Sequence, residues 1–314
     1  TTDTTGAVTI EEDFGENDPW NIKWDGETLT LNGARITQGG HNDAAIYCNS
    51  NLTIVLEGAN TVAWPENTIG RYGIYGDSLT IDGDGSLNVS GGEAVSSYGI
   101  YAEGDVSINA GTVNAKGGDC EKDVDGSSYG IYAKGSVTIS SGMVTATGGY
   151  LNTVSPLASC GIYSDSSVTI SGGVVEANGG DIYCDYGTVY EGRMESSGIS
   201  ASEVKITDGE VTASGGNFTG YLNPSAYGHT NYLYFCGING RGIVDGVTIS
   251  GGTVTANGGT FAAGTELSII INSCGVSSES QVTISGGVVT ANGSTISSGT
   301  SGLATNNSRG ITAI

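Results

Sequence analysis

The chain has 314 residues with 54 Gly and 4 Pro, and its 10 basic and 33 acidic residues give a formal net charge of −23. This charge argues against a nucleic-acid partner, because phosphate binding needs clustered Lys and Arg. No apolar run approaches the roughly 20 residues that span a bilayer, so membrane insertion is not expected. Cations, neutral glycans and metal-bridged anionic glycans stay compatible with the composition, and solubility alone is the alternative explanation of the charge.

The N-terminal part is the least regular stretch of the chain. Residues 1–26, with Trp20 and Trp24, are predicted to cap one end of a repeat structure, because an uncapped end exposes core and an unpaired strand edge. No linker interrupts the rest, so residues 27–314 are predicted to form one repeat domain. Two early coils are predicted from four short apolar segments: Leu29–Leu31, Ala45–Tyr47, Leu52–Leu56 and Asn60–Ala63.

One sequence pattern, V-T-I-S-G-G-x-V-T-A-N-G-G, then recurs along the chain. Such self-similarity marks a stacked repeat architecture. The near-perfect copies are Val168–Gly180, Val247–Gly259 and Val282–Gly293. The degraded copies are Leu79–Gly92, Val106–Gly118, Val137–Gly149 and Val204–Gly216.

Each unit carries three short strand signals, namely Gly-Ile-Tyr-Ala, Val-Thr-Ile and Val-Thr-Ala, all with period-two alternation. Strands this short are predicted to form three faces of one coil of a parallel β-helix, each pairing with its copy about 4.8 Å away. Val137, Ile139 and Val144 are predicted to point inward, and the intervening threonines outward. The fold class is therefore all-β, a single-stranded parallel β-helix (solenoid) of about nine coils.

Glycine–aliphatic pairs begin at residues 73, 99, 130, 161, 198, 237, 275 and 310, so the repeat lengthens from 26 to as many as 39 residues. The additional residues enter between the third strand and the next Gly-Ile. Insertions at one corner place long loops on one side of the rod, which is often the binding face of a repeat protein.

Tyrosines supply the candidate ligand-binding residues. Tyr75, Tyr101, Tyr132 and Tyr163 share one strand position, preceded by Tyr47, and outward rings could stack on sugar rings. Plain ring stacking is the alternative, and Ser200, Asn239 and Ser277 limit this surface to the first half of the rod. The longer loops add a second candidate group, which a satellite core would also explain. Its members are Tyr186, Tyr221, Tyr232 and Tyr234.

Acidic residues suggest calcium, which takes six to eight oxygen ligands. The candidate ligands lie in two acidic runs and at one strand end: Asp82, Asp84, Asp119, Asp123, Asp125 and Asp165. Asp245 and Glu279 recur near the corner of Asp165, and solvated acids at turns are the alternative. Cys236 and Cys274 fall in adjacent coils, within the disulfide range, although side-by-side parallel strands favour free buried thiols.

The run Gly130–Gly149 resembles a family of clostridial surface β-helix domains that bind carbohydrate, and this resemblance extends from about Leu29 onward. It implies a right-handed parallel β-helix of the pectate-lyase type without lyase residues. It also implies bound calcium and affinity for plant cell-wall polysaccharides, including acidic ones. Similar repeats occur in large adhesin stalks, so function by this analogy is only associational.

Three functions are compatible with these features. Non-catalytic binding of a polysaccharide or surface glycan at a bacterial cell surface is the first, and a structural adhesin spacer, whose loops engage a protein or nothing, is the second. The third is a polysaccharide lyase or glycoside hydrolase, which needs a base or two facing carboxylates. Lys205, Arg193 and Arg241 form no cluster in the sequence, and Glu176 could pair with Glu191, Glu195 or Glu210. No catalytic residue is therefore assigned.

Composition and termini also suggest a location. The few Lys and many Ser, Thr, Asn and Gly are typical of an exported bacterial surface protein. The start at Thr1 without Met and the partial unit at Arg309–Ile314 predict a fragment of a longer extracellular protein.

Overall fold

The computed structural model describes residues 21–37, 39, 42–64, 70–121, 126–152, 158–188, 193–223, 231–242, 246–265, 269–300 and 304–313, some of them by backbone alone. Every regular element in these ranges is a β-strand. In chain order the strands are β1 (Ile22–Trp24), β2 (Thr28–Asn32), β3 (Arg35–Ile36), β4 (Ala44–Tyr47), β5 (Leu52–Glu57), β6 (Ala59–Ala63), β7 (Tyr72–Gly76), β8 (Leu79–Asp82), β9 (Ser86–Ser90), β10 (Ser96–Ala102), β11 (Val106–Ile108), β12 (Thr112–Lys116), β13 (Cys120–Glu121), β14 (Ser127–Ala133), β15 (Val137–Ile139), β16 (Met143–Thr147), β17 (Leu151–Asn152), β18 (Ala158–Ser164), β19 (Ser167–Ile170), β20 (Val174–Asn178), β21 (Ile182–Thr188), β22 (Arg193–Glu195), β23 (Ile199–Ala201), β24 (Glu203–Ile206), β25 (Glu210–Ser214), β26 (Phe218–Asn223), β27 (Asn231–Tyr234), β28 (Ile238–Gly240), β29 (Val247–Ile249), β30 (Thr253–Asn257), β31 (Phe261–Thr265), β32 (Ile269–Ser278), β33 (Val282–Ile284), β34 (Val288–Asn292), β35 (Ile296–Thr300) and β36 (Ala304–Ala313).

Three long sheets run the length of the rod and confirm the parallel β-helix. The Val-Thr-Ile sheet has the order β1-β2-β5-β8-β11-β15-β19-β24-β29-β33, and the Val-Thr-Ala sheet β3-β6-β9-β12-β16-β20-β25-β30-β34. The Gly-Ile-Tyr sheet has the order β22-β27-β32-β28-β23-β18-β14-β10-β7-β4, with β36 on β32. Equivalent residues pair in register, as Val106, Val137 and Val168 do. Right-handed winding is the sense that such crossovers between parallel strands take.

The prediction of three strands per coil is incomplete, because the later coils contain a fourth. β13, β17, β21, β26, β31 and β35 form a six-stranded sheet in the segment that the sequence predicts as loop. This fourth sheet covers a second core in which Leu151, Ile182, Phe218 and Phe261 are buried. The residues added in the longer repeats are therefore partly strand, because they carry apolar side chains that stack from coil to coil.

The main core lies between the three long sheets. Val137, Ile139 and Val144 are fully buried, and Thr138 lies half-exposed between the first two, which confirms the predicted alternation. Burial of branched aliphatic side chains in each coil is the dominant favourable term for such a fold. In the part of the chain that the structure describes, no helical segment has the length and hydropathy needed to cross a bilayer.

Glycines occupy the corners where the chain must turn or pass close to itself. Gly142 and Gly173 have φ values of +86° and +81°, a conformation that is unfavourable for residues with a Cβ. Gly130 has another reason: a Cβ there would lie 2.6 Å from the backbone nitrogen of Thr147. The glycine before each Ile therefore permits the Gly-Ile-Tyr sheet to cross the end of the Val-Thr-Ala sheet.

The first coil is covered by β1, which pairs antiparallel with β2. Trp24, one of the two predicted cap tryptophans, lies on β1 and is 39% exposed. Trp20 and most of the predicted cap, residues 1–20, lie outside the described residues. The division into a cap at 1–26 and a repeat domain at 27–314 stays a prediction.

Candidate functional site

Eight tyrosines form one continuous cluster on the outer face of the Gly-Ile-Tyr sheet, named here the tyrosine ladder. Its outer column is Tyr47, Tyr75, Tyr101, Tyr132 and Tyr163, and its inner column is Tyr72, Tyr98 and Tyr129. In-register pairing of β4, β7, β10, β14 and β18 stacks each column. The tyrosine alignment predicted from the sequence is therefore confirmed, from Tyr47 to Tyr163.

The sequence reasoning missed the inner column. Strict alternation places Tyr98 on the side opposite to Tyr101, yet their ring centroids lie 5.0 Å apart with planes at 80°. Gly99 and Ile100 are both buried, so the glycine interrupts the alternation and both tyrosines project to the same side. The recurring motif Tyr-Gly-Ile-Tyr, at residues 72–75, 98–101 and 129–132, was the available signal.

Ring stacking changes what the outer column can offer to a ligand. Consecutive rings from Tyr75 to Tyr163 lie 5.2 to 5.3 Å apart, with interplanar angles of 4° to 9°. Each inner face therefore lies against another ring. Tyr101 is buried at 7% exposure, and Tyr132 is half-buried. The expected flat surface for sugar stacking is not formed by these rings.

Carboxylates accept hydrogen bonds from the outer hydroxyls. The hydroxyls of Tyr75 and Tyr101 donate to Glu103 Oε1 at 3.1 and 3.0 Å, and the hydroxyl of Tyr132 donates to Asp165 Oδ2 at 3.0 Å. Lys134 Nζ pairs with Glu103 Oε2, and this ammonium holds the pKa of Glu103 below its ordinary value. A row of hydroxyls and charged groups therefore follows the rod axis.

Burial keeps the ladder hydroxyls protonated. Desolvation raises the pKa of Tyr98 and of Tyr163 to about 12, and it raises the pKa of Tyr129 as well. For Tyr75 desolvation is again the leading cause, and the hydrogen bond to Glu103 adds to it, which gives a pKa of about 12. Tyr75 is thus a neutral phenol beside the ionised carboxylate of Glu103.

Arg241 closes the outer column at one end. Its guanidinium carbon lies 4.2 Å from the ring centroid of Tyr163, and its Nη2 donates to the carbonyl of Ser164 at 2.7 Å. Ser200 pairs with Tyr163 in the sheet and carries no ring, so the planar guanidinium takes the space of the next tyrosine. Beyond it, Asn239 and Ser277 are fully buried, which confirms that the exposed tyrosine surface is restricted to the first half.

The second group of predicted ligand-binding tyrosines lies in strands rather than in free loops. Tyr186 lies in β21, Tyr221 in β26 and Tyr232 in β27, and their side chains lie outside the described residues. Tyr234 is 5% exposed and packs with Cys236 and Cys274, so its predicted position on an exposed loop is wrong. The reason is that β27 pairs between β22 and β32 inside the Gly-Ile-Tyr sheet.

The predicted calcium ligands have local roles where they are described. Asp82 accepts from the backbone of Gly83, Asp119 from the backbone of Tyr150, and Asp165 from Tyr132. Asp84 is exposed, whereas Asp123, Asp125 and Asp245 lie outside the described residues. Among the residues described, no three His, Cys, Asp or Glu side chains gather as a metal site would require.

The cysteines are free thiols, Cys48 half-buried and the other five buried. Burial raises the pKa of the Cys236 thiol, and the side-chain hydrogen bond with Cys274 adds to this effect. This agrees with the expectation that parallel neighbours favour thiols over a disulfide.

Of the candidate catalytic side chains, only Glu176 and Glu210 share a surface among the described residues. Both are exposed on the outer face of the Val-Thr-Ala sheet, where Glu210 pairs with Val174, two residues before Glu176. Glu195 is buried on the Gly-Ile-Tyr sheet. Lys205 is exposed on the Val-Thr-Ile sheet, away from Arg241. Glu191 and the side chain of Arg193 lie outside the described residues.

A shallow groove of about 270 Å³ lies on the Val-Thr-Ala sheet, with polar side chains set in a largely apolar lining. Asn88, Asn114, Lys116 and Thr145 line it, and Asn114 Nδ2 donates to Asn88 Oδ1 at 2.8 Å. Outward amide and hydroxyl groups repeated from coil to coil are able to bind the hydroxyls of a glycan.

Comparison with known proteins supports the fold but indicates no specific function. The chain matches the model of the β-helix repeat family at residues 106–131, 137–162, 168–202, 247–265 and 282–302. No curated protein and no solved structure shows significant similarity to it. The chain is therefore similar to parallel β-helix repeat proteins, in agreement with its sheets.

Proposed function

We propose that this protein binds polysaccharide without catalysis at a bacterial cell surface, through the outer edge of the tyrosine ladder. The observation that carries the proposal is the row of hydroxyls of Tyr75, Tyr101 and Tyr132, fixed by Glu103 and Asp165. Successive rings repeat at 5.2 Å, which is close to the length of one hexose unit in an extended glycan. Each coil then offers similar contacts to each sugar in turn.

Sugar hydroxyls suit this row because each both donates and accepts. Glu103 and Asp165 retain acceptor capacity beside their tyrosine contacts, since a carboxylate offers about four lone-pair sites. The ring edges supply apolar contact between these polar groups. Preorganised side chains lose little conformational entropy on binding, which favours recognition on such a rigid surface.

Binding to a glycan array tests this function. Tyr101→Phe and Tyr132→Phe keep the rings and remove the hydroxyls, so we expect weaker retention on the polysaccharide that binds the wild type. Tyr150→Phe, at an exposed tyrosine outside the ladder, is the matched control. Loss on Asn114→Ala alone would assign binding to the groove, and loss on Tyr221→Ala alone to the fourth-sheet side of the rod.

Calcium-assisted binding of acidic plant cell-wall glycans is the finer form of this proposal. The high negative charge would repel a polyuronate unless a divalent cation intervened. Asp119, Asp123 and Asp125 are one of the two predicted acidic runs, and an Asp123→Asn/Asp125→Asn variant tests it. We expect calcium to raise the melting temperature of the wild type and to strengthen polygalacturonate binding. Equal behaviour with calcium and with a chelator would contradict this.

A structural spacer is the second candidate function, favoured by the continuous in-register ladders of all three long sheets. Closely paired strands make a stiff rod that holds other parts of a surface protein apart. Failure to bind any glycan on the array, with the fold intact, would favour this role.

A further inference from the structure

The tyrosine ladder has a second chemical property besides its outer edge, because its rings form an unbroken series of close contacts. Neighbours within the outer column lie 5.0 to 5.3 Å apart from Tyr47 to Tyr163. The inner column bridges them, with Tyr98 at 5.0 Å from Tyr101 and at 5.4 Å from Tyr132. Two parallel routes of aromatic contacts therefore run along the rod.

The outer column also carries built-in proton acceptors. One-electron oxidation of a phenol near neutral pH requires loss of its proton, because the phenol radical cation is a far stronger acid than the phenol. Glu103 lies within hydrogen-bond distance of two ladder hydroxyls, and Asp165 of a third. The ion pair with Lys134 lowers the pKa of Glu103, so Glu103 is an ionised acceptor that is a weaker base than a free glutamate.

We propose that the tyrosine ladder transfers oxidising equivalents along the rod, with a small one-electron oxidant of the peroxyl or carbonate radical class as their source. In the first step Tyr101 gives one electron to the oxidant, and its hydroxyl proton moves to Glu103, which leaves a neutral tyrosyl radical and the reduced oxidant. In the next step Tyr132 gives one electron to the radical of Tyr101 and its proton to Asp165. Glu103 returns its proton to Tyr101, which is then restored.

A plain structural stack does not explain the carboxylates. Ring stacking alone needs no base at the hydroxyls, and a neutral acceptor would satisfy a half-buried phenol such as Tyr132 equally well. The alternation of Tyr101 with Glu103 and of Tyr132 with Asp165 is the arrangement that coupled electron and proton transfer needs. Arg241, over the ring of Tyr163, adds a fixed positive charge at the end of the series.

Light-driven oxidation tests the proposal on the full chain. A ruthenium polypyridyl photo-oxidant is attached at Asn49→Cys, an exposed position next to Tyr47, in a Cys48→Ser background. Position 163 carries 3,5-difluorotyrosine, whose radical has a distinct electron paramagnetic resonance spectrum. After a flash and rapid freezing, we expect the fluorinated radical at position 163.

Two variants distinguish radical transfer along the tyrosine ladder from direct oxidation of the residue at position 163. The double variant Tyr98→Phe/Tyr101→Phe keeps every ring and removes the hydroxyls of one coil from both routes, so most of the radical at 163 should be lost. Glu103→Gln keeps a hydrogen-bond acceptor but removes the base, and it should also lower that yield. The control Tyr150→Phe/Tyr183→Phe changes two tyrosines outside the ladder and should leave it unchanged. Equal yields in all variants, or no radical at 163 in the parent, would overturn the proposal.

Discussion

At the residue scale, a column of buried serines adds polar contacts between successive coils. Ser128 donates from Oγ to the carbonyl of Gly118 at 2.8 Å and accepts from the backbone N–H of Gly149 at 2.8 Å. Ser97 and Ser159 make the equivalent pair of bonds in the neighbouring coils. Each hydroxyl thus joins two successive glycine corners whose backbone groups would otherwise be buried without partners.

Ser128→Ala should therefore destabilise the protein more than the removal of one small hydroxyl group suggests. The change leaves a buried N–H and a buried carbonyl unsatisfied, which costs about 1 to 3 kcal/mol in the free energy of unfolding. Ser171→Ala, at an exposed corner of a nearby coil, should change it by less than about 0.5 kcal/mol. Circular dichroism, recorded during denaturant unfolding, measures the free energy of unfolding of both variants. Equal values would refute the role of the serine column.

At the element scale, the fourth sheet shows how an apparent loop becomes part of the fold. Phe218 and Phe261 stack at 4.9 Å with an interplanar angle of 11°, and Phe235 packs on both at 5.9 Å. The first two come from the same strand position in successive coils, so their stacking follows from the register of β26 and β31. The second core therefore ties the longer segments to the rod.

Removing one of these rings should destabilise the fourth sheet. Phe218→Ala is expected to cost about 3 to 5 kcal/mol, since Phe218 is fully buried and its removal leaves a cavity. Thr219→Ala changes the exposed neighbour in the same strand and should be nearly neutral. Hydrogen exchange would locate the loss of protection in β21, β26 and β31, and unchanged protection there would contradict the second core.

The tyrosine ladder predicts a characteristic alkaline titration. The pKa of Tyr98 and of Tyr163 is raised by burial to about 12, so the folded state holds these protons more tightly than the unfolded chain. The resulting stability is fully present below about pH 10, the ordinary tyrosine pKa, and is lost as the pH rises toward 12. Ultraviolet titration should show Tyr98 and Tyr163 ionising together with unfolding. Reversible ionisation near pH 10 in the folded state would contradict it.

At the scale of the whole molecule, electrostatic self-repulsion opposes the compact rod. The formal net charge is −23, and among the described residues the ion pairs are Lys116 with Asp119 and Lys134 with Glu103. Like charges crowded on one rod destabilise it relative to the expanded unfolded chain.

Added salt should therefore stabilise the protein. At 0.15 M ionic strength charges are screened beyond about 8 Å, so repulsion between coils falls. We expect the melting temperature to rise by a few degrees between low salt and 0.5 M sodium chloride in calorimetry. A melting temperature that falls with added salt would indicate that attraction within ion pairs outweighs repulsion between the excess acidic groups.

The sequence by itself determined the repeat, the parallel β-helix and the inward columns, because in-register stacking needs the same residue type at the same place in each coil. It also identified the outer tyrosine column from Tyr75 to Tyr163. Only the tertiary structure decided that Gly99 turns Tyr98 to the side of Tyr101, and that Glu103 and Asp165 meet the tyrosine hydroxyls. The hydrogen bonds from Tyr75 to Glu103 and from Tyr132 to Asp165 join different coils, and the contact of Tyr98 with Tyr101 depends on a break in alternation within one strand. Periodicity along the chain specifies neither.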